Sequence, residues 1–232
     1  GTQNVIDTAL EHEVGHVVFT STDKAVNPAN AMGASKLMAE KLIVAANLYK
    51  GHRASRFDIV RFGNVLASSG SVIPTFENRL DLGLPIEVTD RRMTRYVITM
   101  DQAVDLVLDA TAVCGGGDVL IRKMPVLRII DLAEAVLASR DLAVDEDHLR
   151  VVGARAGEKL YEELLTPEEA TRTVNQGDYF VVRPQIGAEK QTAESEPMLP
   201  SAYVSDEAAP LTPESVRGLL NELAQQTGED SR

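Results

Sequence analysis

The amino-acid sequence predicts an α/β protein built on a mainly parallel sheet. Short apolar runs, such as residues 16–20 and 57–62, are typical of buried parallel strands. Longer segments with the apolar period of a helix, about 3.6 residues, separate these runs, and the longest covers residues 30–49. This alternation predicts strand–helix units rather than an all-helical or all-strand protein.

The elements of the first third follow in order. Residues 5–13 have the periodicity of the end of a helix, and residues 16–20 form the first strand. A polar loop over residues 21–28 leads to the long helix, which Gly51 ends. We expect the buried stripe of that helix to comprise Ala34, Leu37, Met38, Lys41, Leu42, Ala45 and Leu48. A strand over residues 57–62 and a flexible loop over residues 68–71 come next.

The remaining elements become less regular toward the C-terminus. We predict helices over residues 72–82, 101–113 and 129–139, and strands near residues 86–88, 96–98, 119–121 and 149–152. Order weakens between residues 166 and 210, where residues 185–200 are polar and charged and predict a surface loop. Thr212-Pro213-Glu214 is typical of a helix start and predicts a final helix.

Composition and charge exclude several classes of protein. Of 232 residues, 44% are hydrophobic, which is enough for a buried core. The net charge of -12 argues against a duplex nucleic-acid binder and against charge-driven attachment to an anionic membrane. It fits an ordinary acidic cytosolic protein better than a salt-adapted one. Because Cys114 is the only cysteine, we expect a cytoplasmic protein without internal disulfides, and the scattered histidines predict no metal site.

The 232 residues contain no glycine-rich phosphate-binding motif of the form GxGxxG. Such a turn joins a strand to a helix and binds a dinucleotide pyrophosphate at the helix N-terminus. Residues 115–117 are three glycines, but they follow a helix and precede a strand, which is the reverse order. We therefore interpret them as a helix C-cap and a turn.

The residues suited to chemistry lie between Thr20 and Lys36. A loop at the carboxyl end of a parallel strand is where α/β sheets bind ligands. Asp23 and Lys24 offer an acid and a base side by side in that loop. Met32 and Lys36 are four residues apart on the following helix, so they share one face.

The whole stretch resembles the extended short-chain dehydrogenase/reductases. It is most similar to their capsular-polysaccharide branch, the UDP-N-acetylglucosamine 4,6-dehydratases and related epimerases. The resemblance covers nearly the whole chain in ordered blocks, namely Ser21-Thr22-Asp23-Lys24-Ala25-Val26-Asn27-Pro28 with Met32-Gly33-Ala34-x-Lys36, Arg61-Phe62-Gly63-Asn64-Val65-Leu66, Gly70-Ser71-Val72-Ile73-Pro74, Met93-Thr94-Arg95-Tyr96, Gly153-x-Arg155-x-Gly157-Glu158-Lys159-Leu160-Tyr161-Glu162 and Ser205-Asp206.

The resemblance implies a partial Rossmann-like parallel sheet with a small C-terminal α/β substrate-binding region. Residues 1–65 would be the C-terminal part of a dinucleotide-binding domain with the catalytic loop. Residues 66–184 would bind the sugar nucleotide, and residues 185–232 would form a polar loop and the final helix. The resemblance also implies that the family's N-terminal part, including the glycine-rich turn, is missing, and that such a segment of the same gene product is a partner.

The resemblance further implies an NAD-dependent dehydration of a UDP-sugar. Asp23 matches the acid at the carbon-6 hydroxyl and Lys24 the base at carbon 5, each with its pKa moved toward neutrality. Thr22 matches a hydroxyl that hydrogen-bonds the carbon-4 oxygen. Lys36 matches the lysine that holds the nicotinamide ribose. Ser21, Phe62 and Gly63 complete the predicted cofactor-binding residues. The implied cofactor is NAD(P), with NAD favoured over NADP.

Met32 departs from the tyrosine that most of these enzymes use as the base at carbon 4. A thioether cannot accept that proton. We favour an active enzyme over lost function, because Asp23, Lys24 and Lys36 all persist. The proton would then leave through Thr22, Lys36 or water.

A separate group of residues matches the family's sugar-nucleotide contacts. The predicted cations and amides at the diphosphate are Asn64, Arg95 and Arg155. Ser71 and Val72 would add backbone N–H groups at a helix start. Glu158 would bind a ribose hydroxyl or cap a helix.

Three interpretations stay open. The first is a 4,6-dehydratase in polysaccharide biosynthesis, and the second is a 4-epimerase or a dehydratase that inverts carbon 5. The third is a non-catalytic remnant that binds a sugar nucleotide. We also expect a homo-oligomer, with attachment to a membrane only through an N-terminal region outside these residues.

Overall fold

The chain is divided into two compact units in a computed structural model that describes residues 1–66, 68, 70–154, 157–186 and 202–229. Unit 1 comprises Gly1–Gly63, Asp101–Lys123 and Glu163–Val204, and unit 2 comprises Asn64–Met100, Met124–Glu162 and Ser205–Arg232. The first predicted boundary, after residue 65, falls close to the end of the first stretch of unit 1. After residue 63 the chain passes back and forth between the two units, so each unit consists of three separate stretches of sequence.

The helices and strands have the following bounds. The helices are α1 (Thr2–Glu11), α2 (Ala31–Tyr49), α3 (Val72–Asp81), α4 (Met100–Val113), α5 (Ile129–Ser139), α6 (Pro167–Ala170) and α7 (Pro213–Glu229). The strands are β1 (His16–Thr22), β2 (Arg56–Phe62), β3 (Asn64–Val65), β4 (Ile86–Val88), β5 (Thr94–Ile98), β6 (Val119–Arg122), β7 (Val126–Arg128), β8 (Leu149–Val151), β9 (Glu163–Leu165), β10 (Thr173–Gln176), β11 (Tyr179–Val182) and β12 (Tyr203–Val204). A 3-10 turn, Asp23–Ala25, follows β1.

The main sheet of unit 1 has the order β1-β2-β6-β11-β10. Strands β1, β2 and β6 are parallel, with His16 opposite Arg56 and Arg61 opposite Ile121. This confirms the predicted parallel sheet, and the carboxyl ends of these three strands share one edge. Strand β11 is antiparallel to β6 and forms a hairpin with β10. Helix α4 packs on the sheet through Leu106 and Ala110.

The buried face of α2 differs from the predicted stripe. Gly33, Ala39, Glu40, Ile43 and Ala46 are buried, whereas the predicted core residues Met38 and Leu48 are exposed. The reason is that the helix buries mostly small residues together with Ile43 and with Glu40, which binds a buried arginine. Hydrophobic periodicity alone predicted burial of the larger side chains, such as Met38 and Leu48, which face outward.

The glycine run at 115–117 forms the predicted turn after α4 and packs against a buried acidic cluster. Gly116 and Gly117 have φ values of 111° and 85°, which favour glycine. The Asp58 carboxylate accepts hydrogen bonds from the backbone N–H groups of Gly116 and Asp118 and lies 2.8 Å from His16 Nε2. Ligand atoms of Asp58, Cys114 and Asp118 lie within 4.8 Å of one another. Burial and the two neighbouring carboxylates raise the pKa of the Cys114 thiol, which therefore stays protonated at neutral pH.

Replacing Asp58 should change how stability depends on pH. Burial raises the pKa of Asp58, so the folded protein binds more protons than the unfolded chain just above the ordinary pKa. Stability therefore falls as pH rises through that window. Asp58→Asn keeps an oxygen acceptor for both N–H groups and offers His16 an amide donor. We expect an unchanged or higher Tm at neutral pH and a flatter Tm profile from about pH 4 to pH 7 in circular dichroism melts. A sharp loss of Tm at neutral pH would contradict this.

Unit 2 contains two small sheets and a helical layer. The sheets have the orders β3-β5-β7 and β4-β8. Side chains of α3, α5 and α7, including Phe76, Leu132 and Val216, form its core. The predicted helix over residues 129–139 is confirmed as α5, and the predicted final helix is confirmed as α7.

Some predictions fall on residues that the structure does not describe. Residues 187–201 lie outside the described ranges, and so does most of the predicted polar loop over residues 185–200. Within the described ranges, no helix combines the length and apolar composition needed to cross a bilayer.

Candidate active site

The carboxyl end of β1 brings Thr22, Asp23 and Lys24 into one hydrogen-bonded group. Thr22 Oγ1 donates to Asp23 Oδ1 over 2.8 Å, and Lys24 Nζ donates to the same oxygen over 2.9 Å. The Asp23 side chain is fully buried, whereas that of Lys24 is 30% exposed. The acid and the base predicted from the sequence are therefore in direct contact, with the base nearer the surface.

Local backbone geometry explains why these three residues meet. Thr22 is extended, and its Oγ1 accepts from the backbone N–H of Lys24, which caps the 3-10 turn. The turn folds Asp23 inward and Lys24 beside it. Asp23 Oδ2 and the predicted cofactor contact Ser21 Oγ are buried and have no hydrogen-bond partner among the described residues. Buried polar atoms are normally paired, so these two are available to a ligand.

Gly33 fixes the distance between α2 and the Asp-Lys turn. Asn30 caps the helix by accepting from the Gly33 N–H over 2.9 Å. A Cβ atom added to Gly33 would lie 2.3 Å from the carbonyl oxygen of Lys24, so the contact requires glycine. We assigned Gly33 no role from the sequence, although a glycine in the first turn of a helix was a detectable signal.

Met32 and Lys36 lie on the first turns of α2. Lys36 Nζ donates to the carbonyl oxygen of Thr20 over 3.1 Å and lies 4.9 Å from the ring centre of Phe19. This places the predicted ribose-binding lysine beside β1. Met32 is 49% exposed. Phe62 and Gly63 follow at the end of β2, the strand next to β1. The cofactor role of these residues stays a prediction.

A buried ion cluster beneath the site was not foreseen. Arg61, on β2, is 1% exposed and binds Glu40 of α2 and Glu169 of α6 at 2.7 and 3.0 Å. Its Nη1 also donates to the carbonyl oxygen of Leu164 over 2.7 Å. Burial alone would lower the pKa of Arg61, but the two carboxylates raise it, so the guanidinium stays charged. Likewise, burial would raise the pKa of Glu169, but Arg61 holds it below the ordinary value.

Unit 2 contains a cavity of about 300 Å³ that is lined by most of the predicted sugar-nucleotide contacts. The predicted residues on its wall are Asn64, Ser71, Val72, Arg95 and Glu158. Ser71 and Val72 lie at the N-terminus of α3. The backbone N–H of Ser71 already donates to the carbonyl oxygen of Ser68 over 2.9 Å, so an anion there would be bound by the N–H groups that follow, beginning with Val72. The Ser71 hydroxyl is buried and has no hydrogen-bond partner among the described residues.

The cations predicted for the diphosphate are placed differently. The Arg95 guanidinium donates to the carbonyl oxygens of Thr94, Lys159 and Leu160 at 2.7, 2.8 and 3.2 Å. These bonds hold the Arg95 side chain in place. A bound phosphate would share the guanidinium with the three carbonyl oxygens. Arg155 lies outside the described residues. The substrate roles of both arginines stay predictions.

Glu158 binds a threonine that we missed. It accepts from Thr89 Oγ1, at 3.1 and 3.2 Å to its two oxygens, on the wall of the same cavity. No helix is present in residues 157–162, so Glu158 is not at the end of a helix in its own segment, and its predicted role stays a prediction. Thr89 directly follows β4, and a polar residue at the end of a strand could have marked it as a candidate site residue.

Several proteins that are similar to this chain have the names of sugar-nucleotide enzymes. A UDP-N-acetylglucosamine 4,6-dehydratase (inverting) of Campylobacter jejuni is 40% identical over 187 residues, which is 80% of this chain and 54% of that protein. A UDP-glucose 4-epimerase of Rickettsia rickettsii is 36% identical over 226 residues, which is 95% of this chain and 65% of that protein. The solved structure of Pen from Bacillus thuringiensis aligns with a TM-score of 0.87 and 37% identity, covering 95% of this chain and 66% of that one.

The extent of these matches defines what they support. The chain spans about half the length of the Campylobacter dehydratase and about two thirds of the other two proteins. The alignment with Pen covers both compact units and confirms the Rossmann-type fold. The family described as "Polysaccharide biosynthesis protein" matches residues 1–184, well over half of the chain. This protein therefore belongs to the polysaccharide biosynthesis protein family, as the resemblance of its motifs implied.

Proposed function

We propose that the gene product carrying this chain catalyses the NAD-dependent 4,6-dehydration of a UDP-N-acetylhexosamine in surface polysaccharide biosynthesis. The observation that supports this most directly is the hydrogen-bonded group Thr22–Asp23–Lys24 at the carboxyl end of β1. It presents a hydroxyl, a carboxyl group and an amine within one turn. Elimination of water needs a base at one carbon and an acid at the neighbouring hydroxyl.

The chemistry also calls for a hydride carrier. The proton on carbon 5 becomes acidic only when carbon 4 is a ketone, and NAD supplies the reversible hydride exchange that this requires. The residues present fit its nicotinamide ribose end, because Ser21 Oγ is buried and unpaired within the described part and Lys36 lies beside it on α2. We propose that Ser21, Lys36, Phe62 and Gly63 bind and orient that end.

We assign the proton transfers to three side chains. Lys24 is partly exposed and, in its neutral form, takes the proton from carbon 5. Asp23 receives a proton through Thr22 when the carbon-4 hydroxyl is oxidised and delivers it to the departing carbon-6 hydroxyl, which leaves as water. Its Oδ2 is unpaired among the described residues. The proton of the carbon-4 hydroxyl passes to Thr22 Oγ1, whose own proton is already directed at Asp23 Oδ1. In this pathway Thr22 takes over the role of the carbon-4 base, which in most related enzymes is a tyrosine at the position of Met32. Lys36 and water remain the alternatives to it.

We propose that the cavity of unit 2 binds the nucleotide part of the substrate. The N-terminus of α3 offers N–H donors for a diphosphate. Arg95 adds a guanidinium that the diphosphate would share with the buried Glu162, 3.7 Å away, and Glu158 offers an acceptor for a ribose hydroxyl. Arg155 would add a second cation. Hydrogen-bond donors and acceptors placed among apolar side chains in one cavity are typical of a small-molecule site.

A 4-epimerase is the second candidate, because the Rickettsia relative has that name. It would need the same ketone at carbon 4 without the elimination. A dehydratase that inverts carbon 5 would use the same Asp-Lys pair, and the Campylobacter relative is named as inverting. A protein that binds the sugar nucleotide without turnover is the third candidate.

One incubation separates these candidates. The full gene product is mixed with NAD+ and UDP-N-acetylglucosamine and followed by proton NMR. We expect a new methyl signal from a 4-keto-6-deoxy sugar, and the configuration at carbon 5 shows whether it is inverted. Conversion to UDP-N-acetylgalactosamine would show an epimerase instead. Binding of UDP without any conversion would support the non-catalytic protein.

The 232 residues alone should bind NAD+ weakly. A glycine-rich turn and a helix N-terminus normally bind the pyrophosphate, and this sequence has no such motif. We expect no saturable NAD+ binding in the micromolar range by calorimetry. UDP serves as the control ligand, because we expect it to bind in the unit 2 cavity. Micromolar NAD+ affinity would show that another segment of these residues binds the pyrophosphate.

We also propose a cytoplasmic homo-oligomer. Exposed apolar side chains on α2, such as Met38 and Leu48, and on α4, such as Leu108, give it surfaces for self-association. The lone, buried Cys114 fits a reducing compartment.

A further inference from the structure

The loop between β1 and α2 turns at Asn27, three residues after Lys24, whose φ is 44°. Asparagine is among the non-glycine residues that adopt this left-handed region most readily, so the sequence suits the turn. Asn27 is exposed, so burial does not hold its side chain in place. A contact that fixes this part of the loop is therefore a polar one.

Glu163 supplies that contact. Asn27 Nδ2 donates a hydrogen bond to Glu163 Oε2 over 2.5 Å. The two residues are 136 positions apart in the sequence and belong to the same compact unit. A hydrogen bond to a carboxylate is stronger than one between neutral groups, so a single bond can fix the amide of Asn27.

The backbone of Glu163 is firmly anchored. The next two residues, Leu164 and Leu165, are fully buried. The carbonyl oxygen of Leu164 accepts from Arg61, and Glu169, at the start of the following helix, binds the same guanidinium. Glu163 therefore projects from a strand that is held to β2 by a buried ion cluster.

We propose that Glu163 is a positioning residue that, through Asn27, holds the loop bearing Asp23 and Lys24 in its reactive arrangement. This inference rests on the proposed function, because it gives the loop a reaction to perform. Proton transfer depends strongly on geometry, and a displacement of about 1 Å can cost about 100-fold in rate. A loop that samples several arrangements spends only part of its time in the reactive one.

Two substitutions at Glu163 separate positioning from other roles. Glu163→Ala removes the acceptor and should lower kcat about 10-fold with KM for the UDP-sugar little changed. Glu163→Gln retains an oxygen acceptor for Asn27 and should restore most of kcat. Glu168→Ala, which removes a neighbouring exposed carboxylate, is the matched control and should leave kcat unchanged. The Tm should stay within about 2 °C for all three, because an exposed contact contributes little to stability.

A reciprocal pair of variants tests the contact itself. Asn27→Asp places two carboxylates against each other and should lower kcat as much as Glu163→Ala does. Combining Asn27→Asp with Glu163→Gln should restore kcat, because the new amide at position 163 can donate to the new carboxylate at position 27. The exchange keeps one carboxylate in the pair, so Glu163→Gln alone, which removes that charge and keeps the acceptor, is the variant that excludes a purely electrostatic role.

Hydrogen–deuterium exchange of the backbone amides in residues 23–30 gives a readout that needs no turnover. We expect faster exchange in Glu163→Ala and restored protection in the double variant. If the wild type shows neither dehydration nor epimerisation, the proposed function fails and the exchange result still tests the contact. If the wild type is active and Glu163→Ala keeps its kcat, or Glu163→Gln loses as much as Glu163→Ala, the inference is overturned.

Discussion

Lys24→Ala should lower the turnover of the proposed dehydration by about 10²–10⁴-fold, the usual contribution of a general base. Lys24 is the partly exposed member of the Thr22–Asp23–Lys24 group, so it is the amine able to meet a sugar carbon. The KM for the UDP-sugar should change little, because the proposed nucleotide contacts lie on other residues. The most direct measurement is exchange of the carbon-5 proton with deuterated solvent, followed by NMR in the full gene product.

Asp23→Asn tests the acid separately. The amide keeps an oxygen for the bonds from Thr22 and Lys24 but cannot deliver a proton to the carbon-6 hydroxyl. We expect turnover to fall by a similar factor. Carbon-5 exchange is lost with it if Thr22 and Asp23 take the carbon-4 proton, and is retained if Lys36 or water takes that proton. Lys41→Ala removes an exposed lysine of α2 and serves as the control. Full turnover in Lys24→Ala would show that another group is the base.

Arg61→Ala should destabilise unit 1 more than any surface change. It leaves the buried carboxylates of Glu40 and Glu169 without their cation, and breaking a buried ion pair in this way costs about 3–5 kcal/mol. For a chain of this size, that corresponds to a fall in Tm of roughly 10 °C. Circular dichroism melting measures the change. Arg92→Ala, at an exposed arginine, should leave the Tm unchanged.

A combined variant shows whether unpaired charge is the cause. Arg61→Met together with Glu40→Met and Glu169→Gln removes every charge in the cluster and retains an acceptor at position 169 for the α6 cap. Replacing a buried ion cluster by apolar groups is often neutral, so we expect most of the lost Tm to return. An Arg61→Ala variant that melts at the wild-type temperature would mean that water reaches the cluster.

Local signals predicted much of the fold. The helix over residues 129–139 was predicted with its observed bounds, because its apolar positions, acidic first turn and length all agree. The hairpin of β10 and β11 was missed, although Gly177 and Asp178 lie between two short runs with apolar residues. The residues on either side of the hairpin are polar, and this polarity predicted weak order over the whole region. The face of α2 was mispredicted because Gly33 packs against the Asp-Lys turn and Ala39, Ile43 and Ala46, rather than the leucines, form the buried face.

The site was predictable only where its residues are close in sequence. Thr22, Asp23 and Lys24 are consecutive, so their spacing alone indicated a shared site. The partners of Arg61 lie 21 and 108 positions away, and no local pattern announces a contact over such a separation. The same holds for Asn27 and Glu163. These long-range polar contacts depend on how the later stretches of chain return to unit 1.

The close approach of Gly33 to the Lys24 carbonyl separates two neighbouring positions for protein engineering. Position 33 has no room for a single added carbon, whereas the side chain at position 32 is half exposed at the start of the same helix. A mutant library around this site can therefore sample every amino acid at position 32 while keeping glycine at 33. Phenols, imidazoles or carboxylates could be introduced there as alternative proton acceptors, without disturbing the contact that holds helix and turn together.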